Sequence, residues 1–390
     1  MLHSGRIRQA LEDRREAFLR AAEESSRLQE RYVSALRQLT DLRCEEIERR
    51  LSGIPWPGLR PTPELDSGGL VVPFGTTWAS AQEARSWALN RLDGITTVAI
   101  DGSQIAPSKE FAVPLSLVQV AWFENPHSAR RPYVKDVENE IVTSGEPGAE
   151  IEGYVFAESK LNQRRFALEM RVAAERVRSL PSEPPPVVFI DGSFVLSFIG
   201  RMAPESRQVY LGSLFGLLAA AEECRIPLAG YIDLSYAADL VAMLGSLFDV
   251  PQGNVFDAQI LTHGMASFDR TAAMVCARSD VLPHYRHPNR DWSADICCVY
   301  LKIGPDRLPA RIDFPRWILD AGLLDHMMDT IRAEIIVGSG YPYAVETADA
   351  AAVLTLEDRM NFYRLFHDFA QGAGLEFVLP GKSISKAHRR

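Results

Sequence analysis

Two aspartates in this 390-residue chain each follow an apolar run and open the same tripeptide. Asp101-Gly102-Ser103 follows TTVAI (residues 96–100), and Asp191-Gly192-Ser193 follows PPPVVFI (184–190). A carboxylate at the C-terminal end of a strand sits where open sheets place their ligands. The glycine beside it permits a sharp turn and leaves room for a substrate. One Asp-Gly-Ser is an ordinary turn sequence; two copies, each after a strongly apolar strand, form a pattern. On a wheel of 100° per residue, the segment between them sets Leu161, Leu168 and Val172 on one side of a wide apolar arc. Phe166, Ala173 and Val177 lie on the other side, and Glu169 falls near its middle. An unpaired charge there costs several kcal/mol. Glu169 therefore needs either a metal ion or an arginine such as Arg165 on the same face, and the second alternative is an ion pair with no catalytic role. Glu152 and Glu158 are the other acids of this stretch, but neither sits mid-face. Farther along, Glu346 and Asp349 are three residues apart on an early helical turn, so one face can present both. Tyr341 and Tyr343 just before them could stack on bases, order a phosphate, or simply pack.

These acids make chemical sense together. Phosphodiester cleavage needs an activated water and stabilised charge on the attacking and leaving oxygens. Two divalent ions roughly 3.5–4 Å apart supply both. Mg²⁺ and Mn²⁺ are hard ions that prefer carboxylate oxygens. Asp101, Glu169, Asp191 and Asp349 are the candidate ligands and catalytic residues. Arg165, Tyr341 and Tyr343 are candidate substrate-binding groups.

Other chemistries fit less well. A phosphohydrolase of the haloacid dehalogenase type needs a nucleophilic aspartate two residues before the strand-end aspartate, where this chain has Ala99 and Phe189. There is no phosphate-binding G-x-x-x-x-G-K-[ST] loop and no G-x-S-x-G elbow. His263, His284 and His287 follow no metal-ligand spacing. The five cysteines contain no C-x-x-C pair, which argues against a disulfide framework or a thiolate zinc site and fits a reducing cytoplasm. Lys160, Arg164, Arg171 and Arg178 lie opposite Glu169, on a face that reads as solvated and only secondarily as phosphate-contacting.

The elements that must position these residues are legible in outline. Residues 6–52 lack Gly and Pro, and Ile7, Leu11, Phe18, Ala21, Leu28, Tyr32, Ala35, Leu39 and Leu42 form one stripe. A long helix is expected, interrupted in its stripe at Arg14 and Ser25. It packs on its own domain or serves as an arm for dimerisation or partner docking. Residues 53–75, with five prolines, read as linker or irregular cover. Strands are expected over 96–100, 111–123 and about 133–142, then a helix over 157–179 and a strand over 184–190. A helix over 206–224 and a strand over 226–233 follow. That order, β-β-β-α-β-α-β, is the order of a ribonuclease-H-like α/β core with a mixed sheet. Residues 235–249 read as helical and 296–303 as a strand. The C-terminal addition reads as a strand at 334–337, a turn through GSGYPY, and a helix from about 345. The expected domains are an N-terminal helix (1–52), a linker or irregular cover (53–94), a nuclease domain (95–365) and a tail (366–390).

Composition bounds the rest. Hydrophobic residues make up 46% and charged residues 24%, as in ordinary globular chains. No apolar run approaches the roughly 18–20 residues of a membrane span, and the N-terminus has no secretory h-region, so a cytoplasmic protein without membrane association is expected. The net charge of −9 counts weakly against nucleic-acid binding. A DNA-binding version of this chain needs a local basic groove, metal ions, or a partner that holds the strand.

VAIDGS, the Glu169 helix, VVFIDGS, the AGYI strand and GYPYAVETAD together resemble the NurA family over roughly residues 95–365. The resemblance implies a ribonuclease-H-like fold and a Mn²⁺- or Mg²⁺-dependent nuclease, an exonuclease of 5′–3′ polarity and/or a single-strand endonuclease. It implies a dimer that processes DNA ends with HerA, a hexameric DNA-translocating ATPase, and metal ligands at Asp101, Glu169 and Asp191. The chain departs from the pattern at two places. Ala348-Asp349 stands where archaeal members commonly have Ala-His, and Asp233 stands where they tend to have lysine after the AGYI strand. The main rival is a non-catalytic NurA-like subunit that only docks on a ring ATPase; the retained acids argue against it.

Overall fold

The computed structural model describes residues 2–106, 115–143, 154–287 and 290–374, without the side chains of 154–157. The chain divides into two compact units. One comprises residues 79–192, 198–230 and 322 onward and contains all four candidate acids.

The sheet of this unit begins with three antiparallel strands: Thr97–Ile105, Leu115–Asn125 and Val134–Thr143. On the other side of Thr97–Ile105 lies the strand Val187–Asp191, parallel to it, with Ile100 opposite Ile190. Leu228–Ile232, whose first residues belong to this unit, comes next. The helix Tyr154–Ser179 connects the third strand to the fourth, and Pro204–Cys224 connects the fourth to the fifth. The expected β-β-β-α-β-α-β order is therefore present as a mixed sheet. Val187, Val188 and Phe189 are fully buried, as a central strand covered on both faces requires. Residues 111–114 of the second expected strand, and 375–390 of the expected tail, lie outside the described residues.

The C-terminal addition differs from expectation. Residues 334–337 are not a strand but the last turn of a helix, Leu324–Val337. The β-branched run EIIV misled a short window. The longer pattern Leu324, Met327, Met328, Ile331 and Ile335 has helical spacing, and all five are buried. Ala333 of this helix packs with Ala88 and Leu92 of the helix Ala81–Leu92. The turn that follows uses left-handed backbone at Ser339 (φ 58°) and Gly340 (φ 115°), and the Gly340 N–H returns to the Ile335 carbonyl at 2.8 Å. It leads directly into the helix Tyr343–Ala352, which carries Asp349. The last helix, Leu356–Gly372, runs across the boundary expected at residue 365.

The second unit comprises residues 1–78, 193–197 and 231–321. The expected single N-terminal helix is three, Ser4–Glu12, Arg15–Leu39 and Cys44–Arg50, and the first break falls beside Arg14, where the apolar stripe is interrupted. Its stripe has two fates. Tyr32, Ala35 and Leu39 are buried, and the Tyr32 hydroxyl donates to the Pro251 carbonyl at 3.1 Å. Ile7, Leu11 and Phe18 are exposed. Residues 53–94 carry regular elements: strands at Gly58–Pro61 and Val71–Val72 and a helix at Glu64–Gly68 in this unit, and the helix Ala81–Leu92 in the other. Gly58–Pro61 pairs with Met274–Ala277 on the edge of the sheet, where proline is tolerated.

At the centre of this unit Arg311, 3% exposed, lies between two buried aspartates. Its Nη1 is 2.6 Å from Asp239 Oδ2 and its Nε is 2.7 Å from Asp313 Oδ1. Removing the cation strands two buried anions. We expect Arg311→Met to destabilise the protein by about 3–5 kcal/mol, read as a fall in the urea midpoint; an unchanged midpoint would show that the ionic cluster does not hold this unit.

Candidate active site

The first Asp-Gly-Ser is not a strand end. The strand runs through it to Ile105, and Asp101 stands mid-strand opposite Ala121. The parallel register with Val187–Asp191 ends at Ile100 and Ile190, so Asp101 and Asp191 follow one step later on adjacent strands. The two glycines serve different ends. Gly192 has φ +141° and turns the chain, as expected. Gly102 instead makes room for Glu169: a Cβ there would lie 2.9 Å from both Cδ and Cγ of that side chain and closer still to Oε1.

Glu169 enters this space from the helix Tyr154–Ser179. Arg165, one turn earlier, donates to Glu169 Oε1 at 3.0 Å and to the Gly102 carbonyl at 2.9 Å. Glu169 therefore has the arginine partner, and it stands near Asp101 and Asp191. Burial pushes the Glu169 carboxyl up to about 7; Arg165 opposes this, and Asp101 and Asp191 add to it. Burial likewise raises Asp101 to about 6, opposed by the Gly102 N–H and Arg165 and reinforced by Asp191 and Asp349. Asp349 thus acts electrostatically on Asp101 while its own side chain is exposed on the helix Tyr343–Ala352. Glu346 is also exposed. The alternatives to Glu169 do not compete with it: Glu158 is exposed, and Glu152 lies outside the described residues.

The donor set fits hard divalent cations. It consists of carboxylates from two strands and two helices, with Arg165 beside Glu169. No three of these carboxylates bring an oxygen each to within 4.8 Å of one another; the one group among the described residues that does so is Cys276, Cys298 and Asp313 in the other unit. Asp313 is already occupied there. It accepts from Arg311, from Ser193 Oγ and from the Phe194 N–H at 3.1 Å. Pairing of the strands Met274–Ala277 and Ile296–Leu301 brings the cysteines together, which linear spacing did not show.

Residues that sequence reasoning passed over brace the site. Glu334, 1% exposed, accepts from Thr97 Oγ1 at 2.8 Å on the Asp101 strand and from the Ala344 N–H at 2.8 Å at the start of the Asp349 helix. His127 Nε2 stands 3.3 Å from the same carboxylate. At the other end of that helix the Ala352 carbonyl accepts from Ser103 Oγ and from Gln119 Nε2 at 3.1 Å. The serine of the first Asp-Gly-Ser is thus a clamp. Its only sequence signal was the tripeptide itself; Glu334 had none, being hidden in the apparent strand. Tyr343, 40% exposed, holds its ring edge-on to Phe123 at 5.9 Å, and Tyr341 is half-buried nearby in sequence. On the opposite helix face, Arg164 pairs with Glu140 and Arg171 with Glu138 and Glu175, as a solvated face does. Asp233, at the departure from the family pattern, pairs with Arg307 at 3.1 Å in the other unit.

A family model of the NurA domain matches residues 95–354. The chain belongs to the NurA family. The match takes in all four acids and both tyrosines, and it bears out the family expected from the two Asp-Gly-Ser segments. No curated protein matched the sequence. Among solved structures, a crystal structure of NurA is 8% identical, covering 68% of this chain and 85% of its own, with a TM-score of 0.43. One of NurA with manganese is 9% identical, covering 82% and 94%, with a TM-score of 0.34. An endonuclease V of Ciona intestinalis, in complex with DNA containing an inosine, is 11% identical, covering 74% and 100%, with a TM-score of 0.27. No helix among the described residues of this NurA family member is long and apolar enough to cross a membrane.

The raised carboxyls set a pH dependence. Asp101 and Glu169 bind protons more tightly folded than unfolded. Their contribution to stability is therefore full below their ordinary values of 3.8 and 4.5 and is lost as pH rises through about 6 and about 7. In EDTA we expect the melting temperature to fall between about pH 5 and pH 8. Asp101→Asn should shrink that fall and melt above the wild type at pH 8. An identical pH slope in the variant, measured by scanning fluorimetry, would refute the repulsive cluster.

Proposed function

We propose that this NurA family member is a metal-dependent DNA nuclease that cleaves phosphodiester bonds at the Asp101, Glu169, Asp191 and Asp349 cluster. The observation that carries this reading is the convergence of carboxylates from four elements of one unit, with Asp101 and Glu169 both pushed toward neutral pH. Such a set is costly without cations and well matched to hard ones. Asp101, Asp191, Glu169 and Asp349 would hold Mn²⁺ or Mg²⁺, a pair of ions in the reading we favour. Bound there, divalent ions supply an activated water and offset charge on the attacking and leaving oxygens.

The chain's own groups do the remaining work. Arg165 orients Glu169 and keeps one positive charge next to the acids, where a substrate phosphate can share it. Asp349, exposed on its helix, would be the ligand open to solvent. Tyr341 and Tyr343 lie at the start of its helix and would contact the DNA strand. The substrate class follows from the family and the acids: DNA ends or single strands, in a 5′–3′ exonucleolytic or endonucleolytic mode. The exposed apolar residues Ile7, Leu11 and Phe18 at the N-terminus, and Leu356, Met360, Leu365 and Phe369 on the last helix, support a homodimer and a HerA-type ring ATPase as partners.

End-labelled single- and double-stranded DNA, incubated with Mn²⁺, Mg²⁺ or EDTA, tests the activity. Cleavage with metal, abolished by EDTA and by Asp101→Ala, is the expected result. Gly102→Ala, which displaces the Glu169 carboxyl, should lower the rate about 100-fold. If neither metal supports cleavage, even with the ATPase present, the chain is a docking subunit instead.

A further inference from the structure

Beside the carboxylate cluster stands a row of aromatic rings that the proposed chemistry does not use. Phe166 lies on the Glu169 helix, directly after Arg165. Its ring centroid is 5.0 Å from that of Tyr210 on the helix Pro204–Cys224. Tyr210 in turn receives Phe198 edge-on, at 5.1 Å and 76°. Tyr210, 6% exposed, is buried between half-buried Phe166 and Phe198, which is 47% exposed. The row reaches solvent at Phe198. Tyr210 is close enough to the acids to feel them, since Glu169 raises its hydroxyl pKa and Arg165 lowers it, behind the larger effect of burial.

Single exposed apolar side chains are common and need no explanation. Phe198 differs because the backbone that carries its ring is anchored on both sides and the ring rests edge-on against Tyr210. It sits on the 3-10 turn Ser197–Arg201, and the next residue, Ile199, is fully buried. The Ile199 carbonyl accepts from Arg207 Nε at 3.2 Å and the Met202 carbonyl from Arg207 Nη2 at 3.0 Å. Gln163 Nε2, on the Glu169 helix, donates to the Ser206 carbonyl at 2.9 Å, which ties that helix to the one bearing Tyr210. A ring held this way loses little conformational entropy when something flat covers it.

We propose that Phe198 is a stacking platform for an unpaired base of the DNA strand held at the carboxylate cluster. The inference rests on the nuclease reading and adds a residue that contacts the strand. Every base has a π face, so such a platform is sequence-tolerant. A base inside a duplex is already stacked on both faces, so the platform favours single strands and frayed ends.

Single-stranded oligonucleotides carrying 2-aminopurine, whose fluorescence falls on stacking, test this in Ca²⁺ with the full-length protein. We expect wild-type protein to quench the probe and Phe198→Ala to weaken single-strand binding about 5- to 100-fold and lose the quench. Blunt duplex binding should change less. Phe198→Trp should retain affinity and quench. Phe198→Leu keeps an apolar contact on Tyr210 without a π face, so it should behave like Phe198→Ala while melting like wild type. Equal affinity and quench in wild type and Phe198→Leu would overturn the platform, as would absence of single-strand binding by the wild type. The two readings separate cleanly. Phe198-dependent binding without cleavage in Mn²⁺ or Mg²⁺ would remove the nuclease reading alone. Cleavage with the same single-strand preference in wild type and Phe198→Leu would remove the platform alone.

Discussion

Asp101 stands near three other acids of its unit, Glu169, Asp191 and Asp349, and like charges so placed repel one another; much of the surrounding unit serves to hold them there. The parallel pairing of Val187–Asp191 with Thr97–Ile105 sets Asp101 and Asp191 side by side. Glu169 can join them because residue 102 has no side chain. Arg165 reaches from one turn away to offset part of the charge, using a carbonyl of the same strand as its second anchor. Burial strengthens every one of these interactions, attractive or repulsive. The raised carboxyls of Asp101 and Glu169 are its direct record.

A repulsive cluster keeps its shape only if the backbone beneath it is fixed. The Asp349 helix is tied at both ends to the Asp101 strand or its neighbour. Glu334 links Thr97 to the helix start, and Ser103 and Gln119 hold its last carbonyl. The buried Glu334 is itself fully engaged, which is what lets a carboxylate remain in a core. The other unit solves a similar problem differently: a buried cation, Arg311, stands between Asp239 and Asp313. That contrast separates the two acidic groups of the chain. One is buried around Arg311, and the other reaches solvent at Asp349.

The net charge of −9 is also easier to understand against this arrangement. Arg164 and Arg171, two of the cations on the face of the Glu169 helix turned away from the acids, pair with Glu140, Glu138 and Glu175. In the nuclease reading, a polyanion would be drawn by cations held by the acids, by Arg165, and by contacts that do not depend on charge, such as those of aromatic rings.

The sequence by itself determined the element order of the core, the two strand-borne aspartates and the mid-face position of Glu169. Each is a local signal: an apolar run bounded by proline or Asp-Gly, or a 3.6-residue period. It also carried the family, through motifs that lie on those same elements. Only the tertiary structure decided which partner each residue took. It showed that Gly102 yields space to Glu169 rather than turning the chain, and that Ser103 clamps a helix some 250 positions away in sequence. It turned the apparent strand at 334–337 into a helix, because a short run with three β-branched residues counts for less than the burial of one face of a longer helix, whose Ala333, Ile336 and Val337 pack against Ala88 and Leu92. It drew the proline-rich segment after residue 53 into a sheet edge, where missing N–H donors do no harm. These outcomes depend on contacts between residues far apart in the chain, and periodicity within a single segment carries no information about them.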